Sequence, residues 1–215
     1  TFAQIRKVLN EHPAIEYKSA GLSDQQILQH IGASETAVEG IFFPDTYYFI
    51  KGSSDLDILQ RAYKTMQNHL QNYWSERVES LPLNTPYEAL ILASIIEKET
   101  GAESDRAEIA GVFINRLRKG MKLQTDPTVI YGLGEQFDGN LRKKDLLADQ
   151  EYNTYTRAGL PPTPISLPSL ASIRAALNPA ETDALYFVAK GNGESEFSTN
   201  LADHNKAVNK YQKQQ

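Results

Sequence analysis

Cysteine is absent from all 215 residues of the sequence. Its absence excludes a disulfide framework, a thiolate nucleophile and any zinc site built on cysteine, but it leaves the cellular compartment open. Long apolar runs are also lacking, since no segment reaches the roughly 20 apolar residues that a membrane-spanning helix needs. The sequence begins at Thr1 inside an amphipathic helical pattern, so we expect a signal or membrane anchor upstream of it.

A strong excess of one charge is lacking as well. The 22 Lys and Arg residues and 27 Asp and Glu residues give a formal net charge of −5. Basic residues do not cluster with aromatic ones, as they do in grooves that follow a phosphate backbone. A nucleic-acid partner is therefore disfavoured, and a neutral or zwitterionic polymer is favoured. No His-x-x-x-His spacing is present, and the sequence implies no metal and no cofactor.

The apolar content, 40% of the residues, is enough for a buried core built mainly from helices. Ser23 and Ser104 are predicted N-caps, and a β-hairpin is predicted for residues 185–197 with its turn at Gly191-Asn192-Gly193. Helical periodicity is found in residues 2–9, 23–31, 54–78, 87–100, 104–120, 170–177 and from 201 onward. These patterns predict an α+β fold.

Two segments lack a clear period. Residues 41–50 are rich in aromatic and β-branched side chains but are broken by Pro44, which predicts a bent strand or a loop under the core. Residues 123–167 carry many Gly, Pro, Tyr, Thr and Asn residues and predict a long loop. Compact domains seldom keep a loop of this length unless it serves a site, so we expect substrate contacts there.

Glu99 is the candidate for acid–base chemistry. It follows Ile95 and Ile96 at the spacing of one helix face and therefore continues the apolar stripe of the helix at 87–100. Burial raises the pKa of a carboxyl group, which suits a general acid near neutral pH. Glu97 points about 200° away around the helix and is expected to support the site indirectly. The competing interpretation is that Glu99, next to Lys98, is an ordinary solvated residue.

Six sequence blocks resemble the signatures of the YceG-like family of endolytic murein transglycosylases. They occur in family order and cover most of the chain: FPDTY at 43–47, ASIIEKET at 93–100, VFINRL at 112–117, LQTDPTVIYG at 123–132, YNTY at 152–155 and GLPP at 159–162. In this family the second glutamate of the EKET block is catalytic, and it corresponds to Glu99. Phe197 and the pair His204-Asn205 are similar to the terminal block of the family.

The resemblance implies a lyase with a lysozyme-like, mainly helical catalytic core. It divides the chain into a flanking helical subdomain at residues 1–40 and a catalytic domain at residues 41–215. Such enzymes cleave the bond between N-acetylmuramic acid and N-acetylglucosamine within nascent peptidoglycan strands, leave 1,6-anhydro ends and so stop strand elongation. They are single-pass proteins of the bacterial inner membrane with the catalytic domain in the periplasm, and peptidoglycan synthases are expected partners.

The family blocks also suggest substrate contacts. Amide and hydroxyl groups suit sugar hydroxyls, and tyrosine rings suit the apolar face of a pyranose. The candidates are Glu97, Gln124, Thr125, Asp126, Tyr131, Asn153 and Tyr155. Arg116 is a weaker candidate, because an Arg on a helix face more often forms a structural ion pair. His204 on the terminal helix is expected to be structural.

Two other functions are compatible with the residues alone. A metal-dependent hydrolase would use the oxygen ligands of Glu97, Glu99, Asp105 and Asp126, although no known spacing supports it. A non-catalytic peptidoglycan-binding module would recruit synthesis enzymes without cleaving the strand. The sequence itself does not decide whether water or a sugar hydroxyl accepts the glycosyl group, and only the resemblance favours the hydroxyl.

Overall fold

The computed structural model describes residues 1–212. Within them the chain forms helices and a single antiparallel hairpin, which confirms the α+β class. The helices are α1 Phe2–Glu11, α2 Asp24–Ile31, α3 Asp55–Ser75, α4 Pro86–Glu99, α5 Glu103–Arg118, α6 Asp126–Leu133, α7 Lys143–Leu147, α8 Leu170–Leu177 and α9 Leu201–Tyr211. The strands are β1 Tyr186–Ala189 and β2 Ser195–Ser198. A lysozyme-like arrangement of the helical core stays a prediction.

Helix α4 lies at the centre of the molecule. The Thr85 side chain accepts a hydrogen bond from the Glu88 amide, and Pro86 occupies the first turn, where it removes no helical hydrogen bond. Eight consecutive residues of α4, at 89–96, are buried on every side, as expected for a helix that is apolar all round. Helix α4 packs against α3, α5, α6 and most extensively α8.

A loop ahead of α8 is tied to the middle of α4 by Ser94. The Ser94 hydroxyl accepts a hydrogen bond from the Ile165 amide at 2.9 Å, and the Ser166 hydroxyl donates to the Ser94 carbonyl at 2.9 Å. Ser94 is completely buried, so these bonds satisfy polar groups that water cannot reach. They hold the loop ahead of α8 against α4.

The second helix of the core differs at its ends from the prediction. Helix α5 begins at Glu103 after Ala102, and no side chain caps it, so the predicted cap at Ser104 is wrong. The Ser104 hydroxyl bonds to the neighbouring Asp105 carboxylate instead. The helix ends at Arg118, just before Gly120, whose φ of +64° lies in the left-handed region.

Helices are present where residues 123–167 were predicted to be irregular. Helix α6 follows Thr125 and carries Pro127 in its first turn. The segment also contains the short helix α7 and a 3₁₀ turn at Gly134–Gln136. Pro127 lies in the segment that the sequence predicts to be a loop, but proline is compatible with the first turn of a helix because the amide there has no intrahelical partner.

The C-terminal hairpin has the predicted place and turn. Tyr186 pairs with Ser198 and Ala189 with Ser195. Gly191 and Gly193 adopt φ values of +87° and +93°, which glycine reaches without steric cost. Helix α9 packs back against both strands.

Residues before position 41 share the buried cluster that contains α4. Phe2, Ile27 and Ile31 belong to this cluster, and the Phe2 and Phe42 rings stack with centroids 5.2 Å apart. Residues 41–50 form no strand; their first part, Ile41 and Phe42 included, is a loop buried under the core. The division into two domains at residue 40 stays a prediction. Within residues 1–212 no helix combines the length and apolarity needed to cross a membrane.

Candidate active site

A cavity of about 520 Å³ opens at the C-terminal end of α4. Its walls come from the ends of α4 and α5, the segment 123–126, the loop at Tyr155, strand β1 and helix α9. The side chains used below are Glu99, Arg116, Gln124, Thr125, Asp126, Tyr155, Tyr186 and His204. The cavity therefore joins chain segments that are far apart in sequence.

Glu99 is the last residue of α4 and lines the cavity. Its partly buried carboxylate accepts a hydrogen bond from the Thr125 hydroxyl. Burial raises the pKa of Glu99, the Thr125 bond acts in the opposite direction, and the negative charge of Asp126 raises the pKa further. The negative end of the α4 dipole also disfavours the anion. Glu99 is thus biased toward the protonated form that a general acid needs.

The segment that carries Thr125 is held in a constrained conformation. Gln124 has a φ of +52°, an unusual value for a residue other than glycine. The buried residue Thr154 supports this turn, because its carbonyl accepts from the Gln124 amide and its hydroxyl accepts from the Thr125 amide, both at 3.1 Å. This turn directs the Thr125 hydroxyl toward Glu99. Thr154 lies in the YNTY block but was not among the predicted site residues.

Asp126 and Tyr155 form a second pair in the cavity. The Tyr155 hydroxyl donates to an Asp126 carboxylate oxygen at 2.5 Å. Burial, this hydrogen bond and the charges of Asp126 and Glu99 all raise the pKa of Tyr155. The phenol therefore remains protonated and keeps Asp126 oriented.

Comparisons with known proteins identify the family. The profile of the YceG-like family matches residues 1–210. The chain belongs to the YceG-like family. An endolytic murein transglycosylase of Bacillus subtilis (strain 168) is 45% identical over 175 residues, covering 81% of this chain and 48% of that protein. One from Streptococcus pneumoniae (strain D39) is 33% identical over 177 residues, covering 80% of this chain and 32% of that protein.

A solved structure supports the same assignment. The crystal structure of a YceG-like protein from Listeria monocytogenes, at 2.6 Å resolution, has a TM-score of 0.71 and 34% sequence identity. The match covers 96% of this chain and 67% of that chain. This YceG-like chain spans about half the length, or less, of the curated relatives that it matches.

Three predicted contact residues of this YceG-like chain lie outside the cavity of Glu99. The Glu97 carboxylate accepts from the Ser169 amide at 2.9 Å and from the hydroxyls of Ser169 and Ser172 at 2.6 and 2.7 Å, at the start of α8. The Tyr131 hydroxyl donates to Glu39 at 3.4 Å, and its ring packs on Tyr152.

Asn153 is completely buried, and its side chain bonds to backbone groups around it. Its side-chain amide donates to the carbonyls of Asp145, Leu146 and Ala148, and its side-chain oxygen accepts from the Tyr155 amide at 2.8 Å. Asn153 therefore shapes the loop that presents Tyr155. Gln124, Thr125, Asp126 and Tyr155 are the predicted contacts that the structure brings together with Glu99.

Other side chains of the cavity were missed or considered weak. Tyr186, on β1, was not singled out, because nothing in the local sequence distinguishes it from other strand tyrosines. His204 stacks on the Tyr186 ring with centroids 5.1 Å apart, and Arg116 lies 5.0 Å from the same ring. The sequence signal that pointed to this part of the cavity was the resemblance of His204-Asn205 to the terminal block of the family.

The carboxylates proposed for a metal-dependent hydrolase are not brought together. Glu97 faces α8 and Asp105 bonds Ser104, whereas Glu99 and Asp126 line the cavity. Within residues 1–212, no group of three or more Asp, Glu, His or Cys side chains is close enough to hold a metal ion.

Proposed function

We propose that this chain is the catalytic region of an endolytic murein transglycosylase, a peptidoglycan lyase. The observation that carries the proposal is the position of Glu99, partly buried at the end of the core helix, with a raised pKa, in a polar cavity. The names of the Bacillus subtilis and Streptococcus pneumoniae relatives support the same reaction.

In the proposed first step, protonated Glu99 donates its proton to the glycosidic oxygen between N-acetylmuramic acid and N-acetylglucosamine. The bond from the anomeric carbon to that oxygen breaks, and N-acetylglucosamine leaves with the proton. Positive charge then develops at the anomeric carbon. The nearby carboxylate of Asp126, oriented by Tyr155, supplies negative charge to the cavity at this stage.

In the second step, Glu99 is ionised and acts as the base. It takes the proton from the primary hydroxyl of the same muramic acid while that oxygen bonds to the anomeric carbon. The ring closes to the 1,6-anhydro product, Glu99 is protonated again, and no water is consumed. One group thus serves as acid and base, in contrast to hydrolases that need a second carboxylate for water or for nucleophilic attack.

Mass spectrometry of purified glycan strands treated with the chain and with Glu99→Gln tests the proposal. The parent chain should release anhydro-ended fragments, and Glu99→Gln should lose about 10²-fold activity or more, because acid–base catalysis is removed. Glu97→Gln is a matched control on the same helix that lies outside the cavity, and it should cleave normally once folded.

Other products would contradict the proposal in different ways. Fragments with reducing muramic acid, heavier by one water, would identify a hydrolase. Strand binding without cleavage by the parent chain would identify a non-catalytic binding module. Anhydro products from folded Glu99→Gln would assign the acid to another residue.

We further propose that the natural protein is held in the inner membrane by one N-terminal helix, with this region in the periplasm beside peptidoglycan synthases. The family resemblance supports this placement. Protease accessibility of the full-length protein in spheroplasts tests it: cleavage of this region from outside is expected, and protection until lysis would contradict it.

A further inference from the structure

Arg116 is a buried cation of the cavity that has only neutral partners. The residue as a whole is 7% exposed. The Nε donates to the Leu185 carbonyl at 2.7 Å, and Nη1 donates to the carbonyls of Lys122 and Leu123 at 3.1 and 2.9 Å and to Gln124 Oε1 at 3.3 Å. None of the ion pairs among residues 1–212 includes Arg116. The structural ion pair considered for this residue is therefore not formed within the described chain.

An unpaired charge at this depth is energetically costly. Burial lowers the pKa of Arg116, although a guanidinium remains charged at physiological pH, and the nearby Tyr186 and Tyr155 provide weak compensation. Asp126, the exposed carboxylate of the same cavity, is bonded by Tyr155 and not by Arg116. The positive charge of Arg116 is thus left available to a ligand.

Arg116 and Glu99 are connected through consecutive residues. Arg116 bonds the Gln124 side chain, and the next residue, Thr125, bonds Glu99. Both groups line the same cavity, so a murein strand bound there meets both of them. The second terminal nitrogen, Nη2, has no hydrogen-bond partner in the described part of the chain. It is also not one of the polar atoms there that are shielded from solvent and lack a partner. Arg116 itself is one of the residues that line the cavity.

We propose that Arg116 is an anion subsite that binds a carboxylate of the murein strand. The inference rests on the proposed function and names the feature of the substrate that the site reads. Muramic acid carries a lactyl group that N-acetylglucosamine lacks. Its carboxyl group is a free anion where the stem peptide has been removed; where the stem peptide is attached, this group is an amide and the carboxylates lie on the peptide. A carboxylate held at Arg116 places muramic acid, and not N-acetylglucosamine, with its glycosidic oxygen at Glu99.

Binding measurements separate this role from a structural one. Calorimetry uses the non-cleaving Glu99→Gln chain and two ligands: peptide-free glycan strands with free lactyl carboxylates, and the same strands capped as methylamides. The free-acid strands should bind about tenfold tighter, as expected for a charge-assisted hydrogen bond. The proposal would be overturned if the acid and the amide bind equally well, both for these strands and for strands that carry stem peptides. This result does not require an Arg116 variant.

A second pair of ligands identifies the source of the carboxylate. Peptide-bearing strands are compared with the same strands after amidation of the peptide carboxylates. A preference seen with the peptide-free pair assigns the subsite to the lactyl group, and one seen only with the peptide-bearing pair assigns it to the stem peptide. Because these measurements do not require cleavage, failure of the transglycosylase proposal would be seen separately, in the product analysis of the parent chain.

Arg116→Gln in the Glu99→Gln background completes the test. The preference for the acid over the amide should disappear, because the charge is lost, whereas binding of amide strands should change little. A loss of affinity that is equal for both ligands would show that Arg116 only supports the wall. Arg116→Lys, which keeps the charge, should retain part of the preference if Arg116→Gln does not fold. Arg118→Gln changes an exposed arginine of the same helix and should leave the preference intact.

Discussion

At the residue scale, burial raises the pKa of Glu99, and two consecutive residues then change it in opposite directions. The Thr125 hydroxyl donates to the carboxylate and stabilises the anion, whereas the charge of Asp126 destabilises it. The group must be protonated for the first proposed step, so kcat/KM should decline as pH rises through the pKa of Glu99. The alkaline limb of the pH profile therefore reports on this balance.

Thr125→Val should move the alkaline limb to higher pH. Valine keeps the shape of threonine but cannot donate, so the pKa of Glu99 rises and the acid remains protonated over a wider range. We expect kcat/KM at neutral pH to fall about tenfold or less, because Glu99 also loses an orienting contact. The pH dependence of initial rates of strand cleavage measures both effects, and Thr125→Ser is the control that retains the donor. A limb that shifts to lower pH would disprove this role of Thr125.

Asp126→Asn should move the alkaline limb to lower pH. Removing the charge of Asp126 removes a repulsion that raises the pKa of Glu99. Asp126 is exposed, so the difference between parent and variant should shrink as salt increases. The profile is measured at low and at high ionic strength, with Asp138→Asn, an exposed residue that does not line the cavity, as the control. If the alkaline limb of Asp126→Asn at low salt is the same as that of the parent chain, Asp126 acts on the substrate and does not change the pKa of Glu99.

At the element scale, the junction between α4 and α8 depends on Glu97. Burial by itself would raise the pKa of Glu97, but the hydrogen bonds from Ser169 and Ser172 and the charge of Arg106 lower it below its usual value. A carboxylate with a lowered pKa stabilises the fold above its unfolded-state pKa, and that stability is lost as pH falls through the folded-state pKa. Glu97 should therefore contribute to stability at neutral pH and not at strongly acidic pH.

Glu97→Ala should reduce the free energy of unfolding by about 1–3 kcal/mol at neutral pH, because the polar groups at the start of α8 lose their partner. Chemical denaturation at several pH values measures this loss, which should diminish toward acidic pH. Lys98→Ala, at an exposed position of the same helix, should have little effect. If Glu97→Ala instead raises KM while stability is unchanged, the sequence prediction of a substrate contact is correct.

Local signals explain which elements were predicted from the sequence. Helix α2 begins after its capping residue Ser23 and ends at Ile31, followed by Gly32, and α8 occupies the predicted residues Leu170–Leu177. The hairpin was found because its glycines mark a turn. Helix α6 was missed because only eight residues, with Pro127 among the first, provide too little periodicity.

At the scale of the whole molecule, residues 1–40 and the later helices contribute to one buried cluster. Ile27→Ala should lower the free energy of unfolding of the entire described chain by about 2–5 kcal/mol, because Ile27 is completely buried. Circular dichroism and fluorescence of Trp74, on α3, should report the same single transition.

The control for this prediction is Val8→Ala, on α1, where the side chain is 66% exposed. It should leave the transition unchanged. If the chain instead unfolds in two separate transitions and Ile27→Ala shifts only one of them, residues 1–40 unfold as an independent subdomain, as the sequence predicts.

The sequence by itself determined the helix that carries Glu99 and the place of Glu99 on its apolar face, because helical periodicity is a property of neighbouring residues. The tertiary structure decided what each polar side chain contacts. Glu97 meets Ser169, 72 positions along the chain, and Arg116 meets Leu185, 69 positions along. Contacts over such separations depend on how helices pack against one another, and no local pattern encodes them. The wall formed by β1 and α9, and the unpaired charge of Arg116 that α5 places beside it, therefore became visible only in the folded chain.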